Sequence, residues 1–395
     1  MNLNPPPRRA ATTLATLLAA ATVHPGLAQP AAEDLPALKD AFQPHFRVGV
    51  ALNEAQFTGR DARGAQLAAR HFNSITPENV MKWASLQPAP GKFDFAAADR
   101  FVEFGERHGM FIVGHTLVWH SQTPAWVFQD EAGAPASREV LLERMRHHIT
   151  NVVTRYRGRV HAWDVVNEAL NEDGSLRPSP WLRLIGEDYL ARAFTFAHEA
   201  DPQAELYYND YSLENAPKRE GAIRLVRKLQ AAGVPIHGLG TQQHVKLDWP
   251  TLAQVDATLA AFGRLGIKVM VTELDVDVLP QRTRNRGADV GFRLAADPAL
   301  NPYTNGLPTD VQQALSTRYA ELFRLYRKHA AVLDRVTFWG VTDRDTWLNN
   351  WPMAGRTAHP LLFDRAGQPK PAFFAILGTD PGPERTSPRA AVSAP

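Results

Sequence analysis

The sequence predicts an α/β protein in which eight parallel strands close into a (β/α)8 barrel that forms a single domain. Short apolar segments alternate along the chain with longer helical patterns. The apolar segments are almost continuously hydrophobic, as expected for parallel strands covered on both faces. Polar side chains gather where these segments end, which is where a barrel carries its functional loops. With 395 residues, 44% hydrophobic and 21% charged, the chain can bury a large core.

The strands and helices follow one another in regular order. Strands are expected at residues 46–53, 72–79, 110–119, 160–168, 204–210, 238–244, 268–276 and 336–342. Helices are expected at residues 96–108, 137–156, 189–200, 218–232, 251–265 and 309–330. Ser137 and Thr251 are suited to cap the second and fifth of these helices. An open doubly wound sheet is the alternative, but no Gly-x-Gly-x-x-Gly run follows the first strand and no phosphate-binding loop occurs.

The two ends of the chain differ from its middle. Residues 1–28 have two arginines, an apolar alanine-rich stretch and the small residues Gly26 and Ala28, and so predict a signal peptide cut after Ala28. Arg8-Arg9 leaves twin-arginine export open beside the general route. Residues 29–378 form the expected catalytic domain, and the Pro- and Ala-rich residues 379–395 are expected to be a disordered tail. We therefore expect a secreted or periplasmic monomer without a membrane anchor.

Composition excludes several classes of protein. The net charge of +2 gives no basic surface for nucleic acid. The absence of cysteine excludes disulfides and thiolate sites. No His-Glu-x-x-His run is present, and His147-His148 lies within a predicted helix, where both side chains are expected to face solvent. No required metal or cofactor is inferred.

Two glutamates at the ends of apolar strands carry the functional prediction. Glu168 closes the strand 160–168, and Glu273 interrupts the strand 268–276. Burying an ionised carboxylate costs several kcal/mol unless it has a partner, so carboxylates are rare in such strands. Two carboxylates facing one cleft are the minimal equipment for hydrolysing a glycosidic bond.

The other predicted strand ends carry carboxylate, amide, imidazole and indole groups. Indoles offer flat apolar faces to sugar rings, while amides, lysine and carboxylates hydrogen-bond to hydroxyls. This mixture favours a sugar ligand. The long connection 280–308 is rich in Arg, Asn, Gly and Pro and is expected to be a surface loop over the cleft.

Five motifs together resemble glycoside hydrolase family 10, the retaining endo-β-1,4-xylanases. They are Glu78-Asn79-x-x-Lys82-Trp83, His115-Thr-Leu-Val-Trp119-His120, Trp163-Asp-Val-Val-Asn167-Glu168, Thr272-Glu273-Leu-Asp275 and Trp339-Gly-Val-x-Asp343-x-x-x-Trp347. The resemblance extends from about residue 35 to residue 377 and includes all eight predicted strands in order. An Asn-Glu pair alone occurs in many barrel glycosidases, so the set carries the resemblance.

The resemblance implies a role for each matched residue. Glu168 matches the general acid/base and Glu273 the nucleophile of a double displacement on xylan. His244 would bond to Glu273 and be oriented by Asp275. Asn167 would donate to the 2-hydroxyl of the attacked sugar, which requires a bulge or twist at that strand end because strict alternation places Asn167 and Glu168 on opposite faces. The implied sugar-binding residues are Glu78, Asn79, Lys82, His115, Trp119, Gln242, Trp339 and Trp347, with Tyr211 as a further residue that either touches the sugar chain or braces a loop.

By the same resemblance, Trp347 would pack near C5 of the sugar, where it tolerates xylose and resists glucose.

Three alternative functions stay open at this point: a catalytically silent xylan-binding barrel, a cellulase-like β-1,4-glycanase, and an isomerase or aldolase on the same scaffold. The last would need a Schiff-base lysine or a phosphate-binding loop. The only lysine at a predicted strand end is Lys82.

Overall fold

Parallel strands form one sheet that closes on itself. The computed structural model describes Met1, residues 36–281 and residues 289–378. The predicted signal peptide beyond Met1 and the predicted tail 379–395 lie outside the described residues. The strands are β1 Arg47–Leu52, β2 Ser74–Pro77, β3 Phe111–Trp119, β4 Ala162–Asn167, β5 Glu205–Asp210, β6 Gly238–Thr241, β7 His244–Lys246, β8 Lys268–Asp277 and β9 Leu333–Phe338.

Helices connect these strands and cover the outside of the sheet. They are α1 Leu38–Phe42, α2 Glu54–Phe57, α3 Ala62–His71, α4 Trp83–Leu86, α5 Ala96–Arg107, α6 Arg138–Arg155, α7 Pro180–Ile185, α8 Tyr189–Ala200, α9 Ala216–Ala231, α10 Leu252–Gly263, α11 Thr309–Lys328 and α12 Pro371–Leu377. Among the helices of the described residues, none combines the length and apolarity needed to cross a membrane.

Eight of the strands close the barrel, which confirms the predicted fold class. Strands β1 to β6 pair in sequence, β6 pairs with β8, and β9 pairs with both β8 and β1, all in parallel. The short strand β7 pairs only with β8, through His244 opposite Asp275. Because all the strands run in the same direction, their carboxyl ends share one end of the barrel.

Two of the predicted strands are wrong in detail. The segment 238–244 is not one strand, because Gln243 has a left-handed φ of 58° that separates β6 from β7. The last strand, predicted at 336–342, is β9 at Leu333–Phe338. Asp334 and Arg335 made the start of this segment look unlike a strand, although Asp334 is paired there with Arg47 at 2.9 Å.

The predicted helix caps are confirmed. The Ser137 hydroxyl accepts the N–H of Val140, and Thr251 forms a reciprocal capping box with Gln254. The prediction for His147 is confirmed, since it is exposed, but the prediction for His148 is wrong. His148 is fully buried and stacks on Trp83, with ring centroids 3.7 Å apart. His148 lies on the buried apolar face of α6, where a neutral imidazole can stack like an aromatic ring.

The long connection after β8 packs on the loop after β9. Within its described part, the Leu294 N–H donates to the carbonyl of Pro352 at 2.8 Å, and Phe292 and Tyr303 pack on a buried cluster that contains Leu348 and Trp351. The predicted surface loop is therefore anchored by a small hydrophobic core of its own. Residues 282–288 of this connection lie outside the described part of the chain.

Candidate active site

Glu168 directly follows β4, and Glu273 lies within β8, just beyond the part of that strand that pairs with β6. Both are buried, with exposed fractions of 4% and 5%. Asn209 donates from Nδ2 to Glu273 Oε1 at 2.8 Å and to Asn167 Oδ1 at 3.0 Å. Asn167 in turn donates to Glu168 Oε1 at 3.2 Å. Three hydrogen bonds through two amides therefore join the two carboxylates in one network.

The backbone departs from strand geometry where Glu168 leaves β4. Glu168 has φ of 58°, in the left-handed region that residues other than glycine rarely occupy. The register between β4 and β5 also shifts between Asp164 and Val166. The sequence analysis predicted such an irregularity, and it lets the neighbouring side chains of Asn167 and Glu168 reach the same network. The carbonyl of Glu168 accepts a hydrogen bond from Arg177 Nε at 3.0 Å, which holds this conformation.

Glu168 is surrounded by neutral N–H donors. Trp119 Nε1 donates to Oε2 at 2.8 Å, and Gln242 Nε2 donates to Oε1 at 3.0 Å. Burial raises the pKa of Glu168 above its ordinary value, and the charge of Glu273 adds to this effect. The hydrogen bonds from Gln242 and Trp119 act in the opposite direction without reversing it. This carboxyl group therefore holds its proton more readily than an ordinary glutamate.

Glu273 has a cationic neighbour instead. His244 Nε2 lies 3.0 Å from Glu273 Oε2, and His244 Nδ1 lies 2.9 Å from Asp275 Oδ2. Burial acts to lower the pKa of His244, but the two carboxylates raise it to about 10, so the imidazolium donates both hydrogen bonds. Burial likewise acts to raise the pKa of Glu273 and is the largest single cause, but the hydrogen bond from His244, the nearby positive charge and the hydrogen bond from Asn209 together outweigh it, so the net pKa is lowered.

The residues predicted to bind sugar on the β2 and β3 side of the cleft are linked to one another. Lys82 is buried and donates from Nζ to Asn79 Oδ1 at 3.0 Å and to Gln122 Oε1 at 2.9 Å. Its ammonium group also lies 5.1 Å from the centre of the Trp119 ring. Burial raises the pKa of the nearby Glu78 carboxyl, while the charge of Lys82 opposes the rise.

Histidine and tryptophan side chains extend the site from His115 on β3 to the loop after β9. His115 is buried and is fixed by Asp164, whose Oδ2 lies 2.9 Å from its Nδ1. The Trp339 ring contacts His115 edge-on at 5.4 Å between centroids. Trp347 donates from Nε1 to Asp275 Oδ2 at 2.7 Å. The two tryptophans are thus tied to the residues behind Glu273, since Trp347 bonds to Asp275 and the Trp339 ring lies edge-on to His244 at 6.3 Å between centroids.

Tyr211 is braced by two cations. Its hydroxyl accepts a hydrogen bond from Arg177 Nη2 at 2.7 Å, and its ring lies 3.5 Å from Lys218 Nζ. Lys218 is itself fully buried and pairs with Asp210 at 3.0 Å. The ring is therefore held rigidly beside the loop that follows Glu168.

Sequence reasoning missed three residues of this site. Asn209 joins the two carboxylates, Arg177 holds the backbone of Glu168, and Asp164 fixes His115. Asn209 left a signal, since an amide within the apolar strand 204–210 needs partners when it is buried. Arg177 left none, because it lies in an ordinary polar loop.

The arrangement defines the class of protein. A closed (β/α)8 barrel that brings together two buried carboxyl groups, one with a raised pKa and one with a lowered pKa, among indole and amide groups is a glycoside hydrolase. Within residues 36–281 and 289–378, no group of three or more histidine or acidic side chains is arranged to hold a metal ion.

Comparison with known proteins identifies the family. Residues 37–379 match the model of glycosyl hydrolase family 10, and the chain belongs to that family. It is 43% identical over 346 residues to endo-1,4-beta-xylanase A of Xylanibacter ruminicola, covering 88% of this chain and 94% of that protein. It is 42% identical to a beta-1,4-xylanase of Dictyoglomus thermophilum, covering 87% and 91%. A solved family 10 endoxylanase from a sugarcane soil metagenome superimposes with a TM-score of 0.84 at 47% identity, covering 87% of this chain and 99% of that one.

Proposed function

We propose that this protein is an endo-1,4-β-xylanase that cleaves xylan by double displacement with retention of anomeric configuration. Membership of family 10 and the similarity to named xylanases support the substrate. The observation that carries the mechanism is one hydrogen-bonded network that joins two buried carboxyl groups whose pKa values are shifted in opposite directions. Glu273 is the nucleophile, and Glu168 is the general acid and then the general base.

The first step uses both groups at once. A Glu273 oxygen attacks the anomeric carbon while Glu168 transfers its proton to the leaving glycosidic oxygen, which gives a glycosyl-enzyme ester and releases the aglycone. Esterification removes the negative charge of Glu273, so one of the causes that raise the pKa of Glu168 disappears. Glu168 then accepts a proton from water as that water attacks the anomeric carbon and frees Glu273.

We assign the proton of Glu168 to one of its two oxygens from the hydrogen bonds around them. Oε1 accepts N–H groups from Gln242 and Asn167, which occupy both of its lone pairs. Oε2 accepts only the indole N–H of Trp119 among the hydrogen bonds of the described residues. Oε2 therefore carries the proton in the resting enzyme, and the leaving oxygen approaches this atom.

Roles for the remaining residues follow from their partners. His244, oriented by Asp275, keeps Glu273 ionised before attack. Asn167 hydrogen-bonds to the 2-hydroxyl of the attacked sugar, an interaction that strengthens in the transition state. The sugars on the non-reducing side are bound by Glu78, Asn79, Lys82, His115, Trp119, Gln242, Trp339 and Trp347, with Tyr211 at the edge of the site.

The anomeric form of the first product tests the mechanism. Hydrolysis of xylohexaose followed by proton NMR is expected to show β-anomeric reducing ends first and α-anomers only as mutarotation proceeds. Initial α product would exclude retention. Release of reducing ends from xylan and from carboxymethylcellulose, measured on the same preparation, separates a xylanase from a cellulase-like glycanase and from a silent binding barrel.

Export is a further part of the proposal. We assign residues 1–28 as a signal peptide and residues 29–378 as the catalytic domain, and we propose that the mature enzyme is a secreted or periplasmic monomer. The charge and apolar pattern of the first 28 residues supports this assignment. Mass spectrometry of the mature N-terminus and the elution volume in size-exclusion chromatography test it, and an intact N-terminus in the exported fraction would contradict cleavage.

A further inference from the structure

Trp347 is held on three sides. Its indole N–H donates to Asp275 Oδ2, its ring contacts His244 at 4.8 Å between centroids with a tilt of 56°, and it stacks on Trp351 at 4.7 Å and 28°. Trp347 is half-buried, and Trp351 is buried with 6% exposed. Trp351 therefore forms the support behind the tryptophan that faces the sugar site.

Trp351 is anchored in turn from two directions. Its indole N–H donates to the carbonyl of Asp289 at 3.0 Å. Its own carbonyl accepts a hydrogen bond from Arg356 Nη1 at 2.7 Å, and Arg356 forms a buried ion pair with Asp277 at 3.3 Å. Asp277 is the last residue of β8, which also carries Glu273 and Asp275. The support of Trp347 is thus fixed to the strand that bears the nucleophile.

The described part of the loop after β8 (residues 289–308) adds further fixation. The Thr357 N–H donates to Asn301 Oδ1 at 2.8 Å, and His359 Nε2 lies 3.0 Å from the carbonyl of Tyr303. Together with the apolar cluster around Trp351, these bonds give the loop after β9 (residues 339–370) little freedom to move away from the cleft.

We infer that Trp351, by supporting Trp347 from behind, is the positioning residue that sets the enzyme's rejection of sugars that carry a hydroxymethyl group at C5. This inference rests on the proposed function and deepens it. An indole that could tilt would make room for the extra CH₂OH of glucose, whereas one stacked on a fixed ring cannot. A rigid wall excludes a larger group more strictly than a flexible one, which can repack around it.

The test is the ratio of kcat/KM for a nitrophenyl β-xylobioside to that for the matching β-cellobioside. The wild-type enzyme is expected to favour the xylobioside strongly. Trp351→Ala is expected to lower the ratio by roughly tenfold or more, the lower end of what one small substituent is worth in an enzyme pocket. Trp351→Phe keeps an aromatic face and is expected to keep the ratio within about threefold of wild type.

Phe101→Ala provides the matched control for general loss of stability. Phe101 is a buried aromatic residue of α5 in the outer layer, where its ring packs edge-on against Phe57. It is expected to lower the melting temperature without changing the ratio. If Trp351→Ala is too unstable to purify, Trp351→Leu, which fills part of the volume without a flat face, is expected to lower the ratio in the same direction.

The outcomes are distinct. A ratio that stays at the wild-type value in Trp351→Ala or Trp351→Leu, with a loss of stability like that of Phe101→Ala, overturns the inference and leaves the proposed function intact. A wild-type enzyme that hydrolyses neither xylan nor the xylobioside refutes the proposed function itself.

Discussion

Two buried glutamates, one directly after β4 and one in the carboxyl-terminal half of β8, lie in two different electrical environments. Glu168 and Glu273 are buried to nearly the same extent, 4% and 5% exposed. Glu168 meets neutral indole and amide donors, whereas Glu273 meets an imidazolium held by Asp275. Neutral dipoles do not offset the cost of burying a carboxylate here, but a cation does. The charge of the neighbour, rather than the depth of burial, decides in which direction the pKa of each carboxyl group is shifted.

Removing the ionised member should have the largest effect. Glu273→Ala is expected to lower kcat on xylan by roughly 10⁵-fold or more, as removal of a nucleophile does in other enzymes. Initial rates of reducing-end release measure it. Glu205→Gln, at the amino end of β5, is the control and should stay within about twofold because it lies at the opposite end of the barrel. Retention of more than a few per cent of activity in Glu273→Ala would show that the nucleophile is another group.

Removing the proton-holding member should depend on the substrate. Glu168→Ala is expected to lower kcat/KM on xylan by roughly 10²- to 10⁴-fold, the usual range for general acid catalysis. An aryl xylobioside with a good leaving group needs no proton and should lose much less in the first step. Rates on both substrates measured side by side give the comparison, and equal losses would contradict the acid role.

Breaking the amide link between the two regions should have an intermediate effect. Asn209→Ala removes the donors to Glu273 and Asn167. A hydrogen bond to a charged group contributes about 1.5–3 kcal/mol, which corresponds to a loss in kcat/KM of roughly 10- to 100-fold. The control is Asn151→Ala, which removes an exposed amide that donates to the carbonyl of His147 within α6. Unchanged kinetics in Asn209→Ala would mean that the network does not position the carboxylates.

Removing the imidazolium of His244 should make the surroundings of Glu273 more like the neutral surroundings of Glu168. His244→Asn deletes the imidazolium that lowers the pKa of Glu273, so protonation of Glu273 should extend to higher pH. The apparent pKa of the acid limb in the pH profile of kcat/KM is expected to rise by roughly 1–3 pH units, the range for loss of an opposite charge at this distance. The alkaline limb, which reports Glu168, serves as the internal reference. An acid limb that stays in place would assign it to another group.

Burial also shifts the pKa of His148, a histidine outside the active site, and this shift affects stability rather than activity. It is the smallest of the expected effects. Burial lowers the pKa of His148 from 6.5 to about 3. The unfolded chain therefore binds a proton that the folded protein refuses between these values, and stability falls as the pH drops below 6.5. His148→Phe should show a flatter dependence of the unfolding free energy on pH between 7 and 4.5 in urea titrations. His147→Gln, at the exposed neighbouring position, should keep the wild-type slope, and a wild-type slope in His148→Phe would contradict the assignment.

Much of this structure could be predicted from the sequence because it depends on residues that lie close together in the chain. The alternation of apolar segments with helical patterns predicted the barrel, and Ser137 and Thr251 marked two helix starts that the structure confirms. Glu168 and Glu273 stood out because a carboxylate in a buried, apolar strand segment costs free energy unless it has a partner. The closed barrel and the family match confirm the fold and the family that these patterns indicated.

Contacts between segments that are distant in the chain could not be predicted from local patterns. Asn209 and Arg177 act through partners up to 64 residues away, and sequence periodicity does not report such pairs. The burial of His148 depends on Trp83, which is the first residue of the short helix α4, 65 residues earlier in the chain. The break at Gln243 was missed because its left-handed φ is imposed by surrounding contacts rather than by residue type.

The sequence alone determined the strand order, the two acidic side chains and the sugar-binding character of the cleft, since these follow from local pattern and residue chemistry. The tertiary structure decided in which direction the pKa of each glutamate is shifted and how firmly Trp347 is held. Both properties depend on the charge, distance and rigidity of neighbours that come together only when the barrel closes.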